Sequence, residues 1–122
     1  MIDEATPDLF LAALSLRDFD RFAACLAPSA HARMLRSRGP EMQSGREAIV
    51  RRFEAWFARA SEFEVLDSSV GRVGTRSRLS WRFRMSRDGQ EPEVIEQVAF
   101  VDLGPEGITG VDLLCSGFLP AD

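Results

Sequence analysis

No lysine occurs in this sequence: all 15 basic residues are arginine, set against 19 carboxylates for a formal charge of −4. An acidic balance argues against the broad basic footprint that a phosphate backbone selects, leaving only local basic strips. The arginine bias reads as a mark of GC-rich coding rather than of nucleic-acid binding. Histidine occurs once, at His31, and cysteine twice, at Cys25 and Cys115. No His/Cys cluster has metal-ligand spacing, so a zinc site of that kind is excluded, and neither metal nor cofactor is expected. The two cysteines read as free thiols of a reducing compartment. No apolar run approaches the roughly 20 residues needed to cross a bilayer. The N-terminal segment 1–10 is acidic and lacks the basic flank of a signal peptide. A cytoplasmic protein without nucleic-acid or membrane partners is expected.

What is present is an ordinary globular composition, 45% hydrophobic and 28% charged, in 122 residues. That length suits one domain, 1–122, with a single substantial core. Thr6-Pro7 reads as a helix start with Thr as cap, followed by the stripe Leu9, Phe10, Ala13, Leu14. Asp18 reads as the cap of a second helix that turns Phe19, Phe22 and Leu26 inward and ends at Pro28. Ala30–Leu35 reads as a short strand and 36–43, with Gly39-Pro40, as a loop. Ser44-Gly45-Arg46-Glu47 matches a capping box ahead of a helix with Ile49, Phe53, Trp56 and Phe57 on one face.

After Ser61 the period changes to two. Leu79, Trp81, Phe83 and Met85 alternate with Arg78, Ser80, Arg82 and Arg84, and Asp88-Gly89 signals a hairpin turn. The arginine row reads as a solvated face with Glu93 and Glu62 as candidate partners. Strands follow at about 93–103 and 108–118, joined by Gly104-Pro105-Glu106-Gly107. Helices first and antiparallel strands afterwards give an α+β fold. So much apolar strand surface on one side is best buried by curving a mostly antiparallel sheet around the helices, which then pack in its concavity as a cone-shaped barrel.

The element order, Phe10–Leu14 leading into Arg17-Asp18-Phe19-Asp20, the segment Ser44–Ile49 and the Gly107-Ile108 strand start together resemble the SnoaL-like branch of the nuclear transport factor 2-like superfamily. The ending Leu113–Phe118 resembles a subgroup of small bacterial members. That superfamily includes ketosteroid isomerases, polyketide cyclases, epoxide hydrolases and non-enzymatic binding or dimerisation modules, so the fold alone does not choose a reaction. The resemblance puts Phe10 where the isomerases carry their enolate-binding Tyr, Leu35 at their general base, give or take one residue, and a position near Val98 at their neutral Asp. The acid/base Asp of SnoaL-like cyclases falls at Leu113, with Asp112 selected by a one-residue shift. Such a shift exchanges pocket for exterior.

Pairing Leu103 with Ile108 across the turn places Val98 opposite Leu113 and Glu96 opposite Cys115, and opposite residues share a face. The resemblance assigns that face (Val94, Glu96, Val98, Phe100, Val111, Leu113, Cys115) to the pocket. Ile95, Gln97, Ala99, Val101, Gly110, Asp112, Leu114, Ser116 and Phe118 then form an outer face apolar enough for sheet-to-sheet pairing of a homodimer. Glu96 among apolar neighbours is the candidate general acid or base, the alternative being ion pairing with an Arg. His31 is a second candidate base, or a packing or surface residue. Cys115 is a candidate pocket contact, and as a nucleophile it lacks an evident base. Trp81 and Phe83 serve as pocket wall and core together.

The function that follows is binding of a small apolar or polycyclic molecule in an internal pocket lined by Phe10, Leu35, Trp81, Phe83, Val98, Phe100, Val111, Leu113 and Cys115. The alternatives are a cyclase, isomerase or hydratase using Glu96, and a non-catalytic dimeric interaction module in which Trp81, Phe10 and Phe100 fill the cone.

Overall fold

The computed structural model describes residues 4–121. Residues 1–3 of the acidic N-terminal segment, and residue 122 of the expected 1–122 domain, lie outside the described residues. Helix α1 (Thr6–Leu16) carries Pro7 in its first turn, where its missing N–H leaves no helical bond unmade. Thr6 is not the cap expected: Ala5 holds that place and no side chain caps the end. Leu9 points to solvent, and Phe10, Leu11, Ala13 and Leu14 form the buried stripe. α1 ends at Arg17, whose φ of 55° is left-handed. Its guanidinium donates to the carbonyls of Phe57 and Ala60 at 3.2 and 2.9 Å, satisfying acceptors left open where the third helix ends.

Asp18 caps α2 (Phe19–Ala24) as expected, accepting from the Arg21 N–H. α2 stops at Ala24, before Pro28, which lies inside β1 (Leu26–Arg36) where the ladder to its neighbour is irregular. Segment 36–43 is not a loop. β2 (Gly39–Ser44) returns antiparallel along β1, with Leu35 opposite Pro40 and Met34 opposite Glu41. Its inward positions, Glu41 and Gln43, are polar and satisfied by partners, so apolar alternation could not reveal it. The capping box at Ser44 and Glu47 is absent: Ser44 ends β2, and Gly45, at φ 90°, takes the cap position of α3 (Arg46–Phe57).

β3 (Glu62–Val73), β4 (Arg76–Ser86), β5 (Glu93–Gly104) and β6 (Gly107–Cys115) complete the main sheet, in the order β2-β1-β6-β5-β4-β3. β7 (Leu119–Pro120) is a short addition to β5. All pairings are antiparallel except β1 with β6. The sheet is curved and unclosed, with the helices in its concavity, which is the expected α+β cone. Gly107 is required at the turn into β6: at φ 120°, a Cβ there would stand 2.7 Å from the Cys25 carbonyl, which accepts from the Ile108 N–H at 2.9 Å.

The β5–β6 register corrects the sequence reading. Leu103 does pair with Ile108, but Asp102 pairs with Gly110, so Thr109 is an extra residue in β6. From that bulge onward the pairs are Ala99 with Leu113, Val98 with Leu114 and Gln97 with Cys115. The side-chain period is two, so one inserted residue reverses both faces of β5 relative to β6. Ile95, Gln97, Ala99 and Val101 turn inward and are buried, while Glu96, Val98 and Phe100 lie on the outer face.

Inside, the rings of Phe10, Phe22, Phe53, Phe57, Trp81 and Phe83 pack as one network. Centroids in this network lie 4.4 Å (Phe10 to Phe22) to 6.4 Å (Phe53 to Trp81) apart, mostly in tilted and edge-on geometries, with Trp81 and Phe83 stacked.

Candidate functional site

Three groups of side chains bear on function: the concave face, the cone's rim, and the outer face of the sheet. On the concave face, β4 supplies Leu79, Trp81, Phe83 and Met85, as its alternation predicts. β1 supplies Ala30, Ala32 and Met34, β5 supplies Ile95, Gln97, Ala99 and Val101, and β6 supplies Val111 and Leu113. Gln97 is the polar residue these rows bury completely. Its Oε1 accepts from Trp81 Nε1 at 2.8 Å and its Nε2 donates to Cys115 Sγ at 3.2 Å. Gly117 N–H also donates to that sulfur, at 3.4 Å. Trp81 needs an acceptor for its buried N–H, and Gln97 provides it across the β4–β5 pair. Cys115 is a free thiol, and the Cys25 thiol donates to the Arg21 carbonyl at 3.4 Å.

The expected pocket residues are distributed over both sides. Phe10, Trp81, Phe83, Val111 and Leu113 are inside, between 0 and 2% exposed. Phe10, Phe83 and Val111 have no exposed surface and Trp81 almost none, so these four are core, while Leu113 also edges the outer hollow beside Leu35. Leu35 is exposed on the outer face, and its neighbour Met34 holds the inward position. Val98 and Phe100 are half-buried on the outer face. Cys115 is half-buried at the strand end. Leu113 faces inward and Asp112 outward.

Glu96 stands on the outer face, half exposed, with its carboxylate 3.3 Å from Arg82 Nε. Its partner is the arginine row of β4, for which Glu93 and Glu62 were expected; Glu62 instead accepts from the Ser86 hydroxyl. His31 is exposed on β1, on the outer side, opposite Gly110. Its Nε2 and Asp102 Oδ2 both lean over that glycine, 3.5 and 3.1 Å from where a Cβ would be. The structure therefore does not bring Glu96 and His31 together on the concave face.

At the rim, beside the β1–β2 hairpin, Glu41 lies between Arg36 and Arg52. The Arg52 guanidinium carbon is 4.8 Å from the Trp56 ring centre. The C-terminal segment crosses nearby, with Phe118 under the Arg87 guanidinium and Arg87 bonded to the Trp56 carbonyl.

The outer face is ordered by register. One row across the sheet is apolar: Pro40, Leu35, Leu114 and Val98 are successive partners on β2, β1, β6 and β5. Leu35 and Leu114 are 52 and 51% exposed, and hollows of about 450 and 510 Å³ flank their ridge. Next to it, Asp112 accepts both Nε and Nη2 of Arg33 at 2.7 and 2.9 Å, and its Oδ2 lies 2.8 Å from Arg76 Nη2. Arg76 is also bidentate to Asp102. The Arg33 hydrogen bond, reinforced by Arg76 and opposed by partial desolvation, holds the Asp112 carboxyl at about 2. The Arg33 and Arg76 guanidiniums are shifted up in turn, each chiefly by its hydrogen bond to Asp112 or Asp102 respectively. Two arginines and two aspartates leave this cluster neutral. A third hollow, about 440 Å³, lies between α1, α2 and the β5–β6 turn. Among the described residues no group of three or more His, Cys, Asp or Glu could hold a metal, and no helix is long and apolar enough to cross a membrane.

Sequence reasoning placed Gln97 on the outer face, where the structure buries it inside, and missed Glu41 and the rim arginines. Gly110 within β6 was the available signal for the bulge, since a strand glycine often marks one.

Comparison with known proteins agrees with the architecture. A family model described as a SnoaL-like domain matches residues 8–108. Bal32a, from a soil-derived mobile gene cassette, superposes with a TM-score of 0.73 at 17% identity over 92% of this chain and 87% of that one. A candidate polyketide cyclase of Xanthomonas campestris pv. campestris gives 0.70 at 19% identity over 90% and 87%. An LEH-like epoxide hydrolase of M. tuberculosis gives 0.67 at 16% identity over 91% and 80%. At these identities the likeness is one of fold. No protein of curated function matches the chain.

Proposed function

The chain belongs to the SnoaL-like domain family, and from that premise we propose that it is a non-catalytic module that pairs with a second copy of itself through the outer face of its sheet. The observation that carries this reading is the filled cone. Phe10 and Trp81, which would wall a ligand pocket, are 0 and 1% exposed and border no space for a ligand. The inward rows of β1, β4, β5 and β6 present no carboxylate, imidazole or amine to move a proton, and Gln97 is a neutral amide engaged by Trp81.

The outer face has the features of a self-complementary surface. The Leu35–Leu114 ridge has a hollow on each side, so a two-fold partner can set its ridge into the groove of the first copy. Arg33, Arg76, Asp102 and Asp112 neutralise one another and present no net charge to a second copy. Face-to-face sheets pack about 10 Å apart, a spacing that side chains of this size fill.

Sedimentation velocity across the micromolar range tests the reading. Wild type should sediment at twice the chain mass. Leu114→Glu should give a monomer with unchanged circular dichroism, because two buried like charges would meet near the axis. A wild-type monomer at every concentration, or a Leu114→Glu dimer, would overturn it.

A further inference from the structure

We propose that the hollow between α1, α2 and the β5–β6 turn binds a small primary amine with an apolar alkyl tail, on the helical side of the molecule and outside the cone. The hollow has a volume of about 440 Å³. α1 lines it with Leu9, Ala12 and Leu16, the end of α2 with Ala24, and the turn with Glu106 and Gly107. None of these residues belongs to the Leu35–Leu114 ridge or to the hollows beside it, so failure of this site would leave the self-pairing reading untouched.

The hollow follows from the sequence of α1. Phe10, Leu11 and Leu14 are spent on the core. A helix lying on a core ordinarily shows water a polar opposite face. Here that face carries Leu9 and Leu16, which are 54 and 73% exposed. Ala12 between them contributes only a methyl group, and so does Ala24 on α2. Gly107, at φ 120°, has no room for a side chain, which keeps the turn end open. Leucines left in water gain free energy when an apolar ligand covers them. Small-molecule sites span about 300–1,000 Å³, and this volume lies at the lower end of that range. A partner helix about 10 Å across would fill it in about one turn, too short a contact to hold a protein segment.

Charge selects the head group. Arg21 and Glu106 are the ionised residues that line the hollow. The Arg21 guanidinium is 3.3 Å from the Asp18 carboxylate, so its charge is already matched. Glu106 is exposed on the turn, and its carboxylate has no ion-pair partner among the described residues. The unmatched charge is therefore negative and belongs to the turn end of an apolar trough. An ammonium group at Glu106, with its alkyl chain laid along Leu9, Ala12 and Leu16, answers both features. A carboxylate head would meet a like charge there.

The test is a titration of ¹⁵N-labelled protein with n-octylammonium, followed through the backbone amide signals of Ala12, Ala24 and Gly107. Saturable shifts at these positions are expected. Affinity should rise about two- to fourfold for each methylene from butyl to octyl, the increment for apolar surface removed from water. Octanoate, with a similar tail and opposite charge, should bind about threefold or more weakly, and Glu106→Gln should remove that preference. Ala24→Phe, at an exposed position, should fill the trough and abolish binding with circular dichroism unchanged; Ala12→Phe on α1 serves if that variant does not fold. Absence of saturable shifts in wild type would overturn the proposal, and so would affinity that is flat along the alkyl series. Octanoate binding as tightly as octylammonium, a preference unchanged in Glu106→Gln, or full affinity in the folded phenylalanine variant would overturn it equally.

Discussion

Replacing Gln97 and Glu96 in turn by methionine puts the β5 register to a direct test. The two residues are adjacent and polar, and methionine is close in length to both. In the observed register, Gln97→Met deletes the acceptor of the buried Trp81 N–H, whose bond is 2.8 Å long, and the donor to Cys115. A buried donor left without a partner costs about 1–3 kcal/mol, part of which is regained by methionine's apolar volume, so about 2 kcal/mol is expected. For a domain of this length that lowers Tm by about 8 °C. Glu96→Met removes an exposed ion pair with Arg82, of the kind whose contribution is about 0–1 kcal/mol. Urea unfolding followed by circular dichroism at the peptide band measures both without relying on tryptophan emission. The Trp81→Phe/Gln97→Met double variant should lose less than the sum of the singles, because no orphaned donor is left. A Gln97→Met variant as stable as wild type, with Glu96→Met strongly perturbed, would refute the bulge and return Glu96 to the interior.

Two further outcomes follow from named contacts. Asp112 is held at about 2, below its ordinary 3.8, so its ionised form favours the folded chain. That stabilisation is complete above about pH 4 and is lost as pH falls towards 2. Solvent screening of a partly exposed cluster reduces it to about 1 kcal/mol, and urea midpoints against pH should flatten in this window for Asp112→Asn. Gly107→Ala forces a Cβ to 2.7 Å from the Cys25 carbonyl at a φ of 120°, and should destabilise by about 2–4 kcal/mol; a urea midpoint like that of wild type would show that the β5–β6 turn can move away from α2.

The parts of the fold legible in the sequence were those where period and burial agree. From Arg78 to Met85 on β4 an apolar residue follows every polar one, which turns Trp81 and Phe83 inward. α3 places Ile49, Phe53, Trp56 and Phe57 inward for the same reason. β5 offers no such contrast: Ile95, Ala99 and Val101 on one face are matched by Val94, Val98 and Phe100 on the other. Either register would bury an apolar row, and the decision passes to a bulge at Thr109 that composition does not announce. The signs were indirect: a glycine inside β6, and a tryptophan on β4 whose N–H required an acceptor opposite it. β2 was missed for the complementary reason. Its inward side chains are polar, and they become acceptable only because Arg36, across the hairpin, and Arg52, on α3, meet Glu41 there.

The bulge also bears on chemistry. General acid–base catalysis needs a group that exchanges a proton near neutral pH, and an amide is not one. By admitting Gln97 and excluding Glu96, one extra residue in β6 leaves the concave rows with a hydrogen-bonding group that cannot titrate. Of the positions that the isomerase resemblance picks out, Phe10 is buried, whereas Leu35 and Val98 lie on the outer face with Met34, Gln97 and Ala99 inward beside them; the cyclase position, Leu113, is 2% exposed. Lack of a proton carrier and lack of space are independent, since either could be reversed by substitution without the other. Both favour a cone that serves as core. Under the self-pairing proposal, the convex face, where charges cancel locally and leucines stand in the open, is the surface that carries function.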